Sequence, residues 1–147
     1  MKRWLLAALL ISGAASADDA AYHREHRVSL PGSGHSWGFV GLDPTRPYLF
    51  LARRENGLSV FDVKRQRLVK TVAQSEGANG VVFVPEVDRV FVLNTDGSLS
   101  VLQLSTLKSL KRIPVAQSNL NSAVYEPSTG KVIIVSGRRA DRSTLFE

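Results

Sequence analysis

Past its first residues the chain alternates short apolar runs with polar breaks, and the runs have the length and composition of strands. Tyr48 to Ala52 is continuously apolar, Leu58 to Val63 nearly so, and Leu68 to Val72 mixes apolar with polar positions. The clearest stretch is Gly80 to Leu104, GVVFVPEVDRVFVLNTDGSLSVLQL, which reads as short strands joined by tight turns. β-Branched and aromatic residues dominate these runs, and Gly, Pro, Asn or Asp bound each of them. Asn56-Gly57 and Asp96-Gly97 carry hairpin-turn chemistry. No stretch after the apolar start shows the three-and-four spacing of an amphipathic helix.

The pattern repeats. Pro44 is matched by Pro85, Phe50-Leu51 by Phe91-Val92, and Leu58-Ser59-Val60 by Leu99-Ser100-Val101, all 41 positions on. A third copy follows at an offset of 42, with Pro127 for Pro85 and Ile133-Ile134 for Phe91-Val92. A period of this length with four strands per period is that of a β-propeller blade. The expected fold is all-β, with units over about 35–77, 78–119 and 120–147. Ahead of them, 18–34 contains a candidate ring-closing strand, His26 to Leu30, ended by the turn Pro31-Gly32-Ser33-Gly34.

At Phe91-Val92-Leu93-Asn94 the repeat resembles the YVTN-type (YncE-like) β-propeller family, with Val92 and Asn94 matching the named strand. Phe50-Leu51-Ala52-Arg53 and Ile133-Ile134-Val135-Ser136 are looser copies, and the resemblance runs from Ser36 to the C-terminus. It implies a propeller, usually seven-bladed, of a kind found mostly in exported bacterial proteins, many with no assigned activity. Even four blades need roughly 165 residues, and the chain has 147. The sequence is therefore expected to be the N-terminal part of a longer chain, holding about three blades of a seven-bladed ring with the last blade truncated. On this reading Leu145-Phe146-Glu147 matches Val101-Leu102-Gln103, after a loop two residues longer at Gly137 to Arg142.

Residues 1–17 have the form of a signal peptide. Lys2 and Arg3 precede the apolar run Trp4 to Ile11, and Ala15-Ser16-Ala17 offers a cleavage site. The run is shorter than the roughly 20 residues that span a bilayer. Export to a bacterial periplasm or beyond is expected. The chain has no cysteine, so disulfides, thiolate metal sites and covalent haem attachment are excluded. The formal net charge of +6 is spread along the chain, unlike the one-sided basic face of a nucleic-acid binder.

In a propeller, the loops that lead into each blade and the loops between its second and third strands share one face, around the central channel. They would carry His35, Ser36, Trp37, Asn79 and Asn121, together with Arg53, Arg54, Asn94, Asp96, Arg138 and Arg139. Guanidinium forks match carboxylates and phosphates, although paired arginines also decorate solvated loops. Trp37 suits stacking on a ligand or packing between blades. His35 lacks a visible acid or nucleophile beside it, and His23 and His26 have metal-pair spacing only on a helix. Asn94 to Gly97 starts like a calcium loop but lacks the distal Glu. No catalytic residue, metal or cofactor is assigned. The expected role is a non-catalytic module binding a protein, peptide or small anionic ligand. The alternative is a lactonase-like hydrolase or oxidoreductase domain with most of its site on other blades.

Overall fold

Tyr48 to Ala52 is apolar on both faces, so a sheet built around it needs cover on two sides. The computed structural model describes residues 25–116, 119–137 and 144–146. It forms that sheet from β1 (Val40–Leu42), β2 (Tyr48–Ala52), β3 (Leu58–Asp62) and β4 (Arg67–Thr71), in that order. The second sheet follows the same order with β5 (Ala78–Val84), β6 (Arg89–Asn94), β7 (Ser98–Gln103) and β8 (Ser109–Pro114). The third contains β9 (Leu120–Glu126), β10 (Lys131–Ser136) and β11 (Thr144–Phe146). All neighbours are antiparallel. The described residues contain no α-helix, only a 3-10 turn at Pro85–Val87.

The ladder registers reproduce the sequence repeat. Phe50 stands opposite Val60 as Phe91 stands opposite Val101. Gly41 opposes Phe50 as Val82 opposes Phe91 and Val124 opposes Ile133. One expectation needs correction. Ile134 opposes Phe146 as Val92 opposes Ser100, so Leu145 corresponds to Leu99 and not to Val101. The polar loop before β11 has no periodicity of its own, so its length hid this shift. His26 to Leu30 has no ladder partner among the described residues. Its alternation survives: His26, Val28 and Leu30 line a groove of about 360 Å³ with Trp37, Leu51, Phe61 and Gln66.

Packing between sheets forms the core. Phe50, Ala52, Leu58 and Val60 of the first sheet meet Val90, Val92 and Leu102 of the second. Phe50 and Phe83 pack edge to face, with centroids 5.0 Å apart. The other face of the second sheet, through Leu93 and Leu99, meets Leu120 and Ile134 of the third. The first strands of the sheets lie side by side, β1 on β5 and β5 on β9. Glycine permits the first of these approaches. A Cβ on Gly38 would stand 2.2 Å from the Asn79 carbonyl oxygen, and one on Gly41 2.5 Å from Val81.

Much of the charge acts locally. The last strands, β4 and β8, expose Arg67, Lys70, Lys111 and Arg112, and charged side chains on edge strands discourage pairing with other chains. The acids cap turns. Asp62 accepts from the amides of Lys64 and Arg65 at 2.9 and 2.8 Å, and Asp43 accepts from Thr45 and Arg46. Glu126 accepts from the amides of Ser128 and Thr129 at 2.9 and 2.8 Å. Hydrogen bonds from the Thr129 hydroxyl and from Ser128 hold its carboxyl down to about 2.

Truncating Phe50, which is fully buried, should cost about 3–5 kcal/mol, read as a fall in urea midpoint with the slope unchanged. The second expectation concerns acid. The folded value for Glu126 lies below its ordinary 4.5, so its contribution is complete above that pH and disappears as pH falls through about 2. The difference in thermal midpoint between the native chain and Glu126→Gln should persist at neutral pH and close towards pH 2.

Candidate ligand site at the inner end of the sheets

The loops that join β2 to β3 and those that lead into β1, β5 and β9 converge at one end of the stacked sheets. Arg53 to Gly57 forms the β2–β3 turn, with Gly57 at φ 71° and Arg54 at φ 35°. A non-glycine residue with positive φ stores strain, and such residues cluster at functional sites. Main-chain hydrogen bonds tie this turn to the next sheet, from Arg54 N to Ala78 O at 3.0 Å and from Gly77 N to Arg54 O at 2.9 Å.

The sequence-predicted residues occupy different positions within this end. Arg54 donates from Nη1 to Ser36 Oγ at 2.6 Å and from Nε to Asn79 Oδ1 at 3.1 Å. Asn79 is 2 % exposed, and its Nδ2 donates to the Leu120 carbonyl at 2.8 Å. One side chain thus links all three sheets. Asn94 is fully buried and donates to Ser98 Oγ and Ser100 Oγ at 3.0 and 2.9 Å. Asn79 and Asn94 therefore build the framework and are not presented to solvent. Asn121 is half-buried and accepts from Asn119, while Asp96 pairs with Arg112 at 2.9 Å. His35 is exposed. Arg138 and Arg139 lie outside the described residues.

Arg53 is the exception. It is 3 % exposed, and its guanidinium lies 5.2 Å from the ring centre of Trp37, which is 50 % exposed. Its Nη1 donates to Ser59 Oγ at 3.3 Å. Its Nε has no partner, nor has the Asn56 Nδ2 in the same turn, and both atoms are buried. No acid pairs with Arg53 among the described residues. A buried charge left without its partner costs on the order of 3–5 kcal/mol. Trp37 offsets part of this through its ring face.

Neither a protein-family model nor a curated protein matches the sequence. Solved structures do match in fold. The WD40 β-propeller domain of Doa1 superposes with a TM-score of 0.56 at 12 % identity, over 68 % of this chain and 33 % of that one. The computationally designed Ika4 protein superposes at 0.53 with 15 % identity, over 73 % of this chain and 64 % of that one. The designed Ika8 protein gives 0.53 over 73 % and 32 %. The fold is a β-propeller. The chain spans about a third of the Doa1 domain's length, and at these identities the likeness concerns architecture alone.

The sheets are accordingly blades, with β1, β5 and β9 as their innermost strands. Arg53, Asn94 and Ser136 share one register, all of them buried. Reading the sequence missed Asn56, Ser59, Ser98 and Ser100 as partners in this layer. A signal was present: a serine recurs inside Leu58-Ser59-Val60 and Leu99-Ser100-Val101, where an all-apolar strand would otherwise be expected. Among the described residues no group of three His, Cys, Asp or Glu side chains converges as a metal site would require.

Replacing Asn79 by Ala strands the Leu120 carbonyl and removes one of the two side-chain oxygens that hold Arg54. It should cost about 1–3 kcal/mol, seen as a lower denaturant midpoint, with earlier loss of hydrogen-exchange protection in β9.

Proposed function

We propose that this chain belongs to an exported β-propeller of the YVTN type, and that it acts as a non-catalytic interaction module. Its channel end would dock an anionic part of a protein partner. The observation that carries this reading is the pair of adjacent guanidiniums, Arg53 and Arg54, held only by neutral groups: Ser59, Ser36, Asn79 and the Trp37 ring. A cationic end with exposed His35 and half-exposed Trp37 offers an aromatic anchor beside positive charge, a combination enriched where proteins bind one another. The strand Phe91-Val92-Leu93-Asn94 and the leader at residues 1–17 support the family and the export.

The protein should be recoverable from a bacterial periplasmic fraction with its N-terminus at Asp18. Applied to an array of acidic, neutral and basic peptides, it should retain the acidic ones, and Arg54→Ala combined with His35→Ala should weaken that retention about tenfold. Retention that ignores peptide charge, or that the double variant leaves intact, would overturn the reading.

A further inference from the structure

Blade 1 departs from the repeat in two positions of its inner polar layer. In blade 2, Asn94 is neutral and reaches the hydroxyls of both Ser98 and Ser100. At the matching positions blade 1 has Arg53, Gly57 and Ser59, so a cation has replaced the amide and one hydroxyl has gone. The Ser75 hydroxyl fills the space above Gly57, 2.4 Å from where a Cβ would stand. It accepts from Leu58 N at 2.7 Å, donates to the Val72 carbonyl and makes no hydrogen bond to Arg53. The orphaned groups that result, Arg53 Nε and Asn56 Nδ2, are both donors. The unpaired positive charge of Arg53 calls for an acceptor that is anionic.

What covers them is main chain without acceptors to offer. A Cβ on Gly32 would stand 2.2 Å from Asn56 Oδ1 and 3.1 Å from Arg53 Nη2, and one on Gly34 2.2 Å from Asn56 Nδ2 and 2.9 Å from Glu55 Oε2. Bare glycines let the segment pass directly over both groups, yet no carbonyl in it accepts from either orphan. Among the described residues, 31–37 are hydrogen-bonded only through Ser36, to Glu55 at 3.3 Å and to Arg54 at 2.6 Å. The segment has no ladder partner. It is a cover held at one point.

We propose that the Arg53–Asn56 turn is a carboxylate site, which opens when residues 31–36 lift and Trp37 moves with them. The guanidinium fork of Arg53 matches one planar carboxylate. A tetrahedral phosphate would ask for more donors than this place offers, because those of Arg54 Nη1 and Nε are committed to Ser36 and Asn79. The inference rests on the interaction-module reading and names the group that the module grips, whether a free acid or the carboxyl end of a peptide.

Trp4→Phe leaves Trp37 as the sole tryptophan of the full chain, so its emission reports the cover. The full chain with that change is titrated with acetate against acetamide, and with triglycine against triglycinamide, at constant ionic strength. At least one acid should give a saturable red shift, with the amide at least fivefold weaker. A response to both acids points to free carboxylates, and one confined to triglycine to a peptide terminus. Arg53→Gln should bring the acid-to-amide ratio to about one. Arg53→Lys, which keeps the charge but loses the fork, should weaken the acid severalfold and serves if Arg53→Gln does not fold. Equal responses to acid and amide in the parent, or a ratio unchanged by both variants, would overturn the site. Such a failure leaves the Arg54-dependent peptide retention untouched. A positive result without that retention keeps the carboxylate site and overturns the docking role.

Discussion

A four-stranded blade has two apolar faces and can bury neither alone. Everything else in this chain depends on that constraint. Phe50 and Val60 of the first blade are fully buried because the second blade supplies Val90, Val92 and Leu102, and the second is covered on its other side by Leu120 and Ile134. Stability in such a stack is a sum of blade terms and neighbour terms. The neighbour terms require the inner strands to approach within main-chain contact, and this explains Gly38 and Gly41 better than any turn requirement. A side chain at either place would push β1 off β5 and open the apolar layer outward from the axis.

Most polar groups in this packing have a partner built in, although the Asn94 Oδ1, like Arg53 Nε and Asn56 Nδ2, has none. The acids cap turns, the basic residues of β4 and β8 guard edges, and Asn79 and Asn94 satisfy their amide donors inside the inner layer. Buried polar groups with complete partners specify register, and incomplete ones are costly. Against that economy of partners, Arg53 stands out. Its neighbours in the repeat, Asn94 and Ser136, show that the register itself tolerates neutral side chains. The charge is therefore a property of this one blade and not a demand of the fold.

The fold was legible in the sequence because strands record their surroundings. A strand with blades on both sides is apolar throughout, as at Tyr48–Ala52, and the same packing problem recurring at each blade produced the offsets of 41 and 42. Where packing does not constrain the chain, reading failed. The loop before β11 could take any length, which misplaced Leu145 by two positions. The inner-end site was half legible. The types of residue were visible in Arg53, Arg54 and Trp37, but which asparagines turn inward depends on cross-blade distances that no local pattern encodes.

The placement of positive charge follows from the same geometry. An exposed guanidinium on β8 can pair with Asp96 or remain in water, so Arg112 costs the fold little. At the inner end Arg53 is buried beneath residues 31–37, and the same group becomes expensive unless an anion joins it. Asp96 is held by Ser98 and Arg112, and Glu55, which accepts from the Ser36 amide beside Asn56, forms no ion pair with Arg53. A loop anchored only at Ser36 is a weak competitor for such a cation. The inner end is thus poised between a closed form that leaves two donors unsatisfied and an open form that only a ligand with an acceptor pair can stabilise.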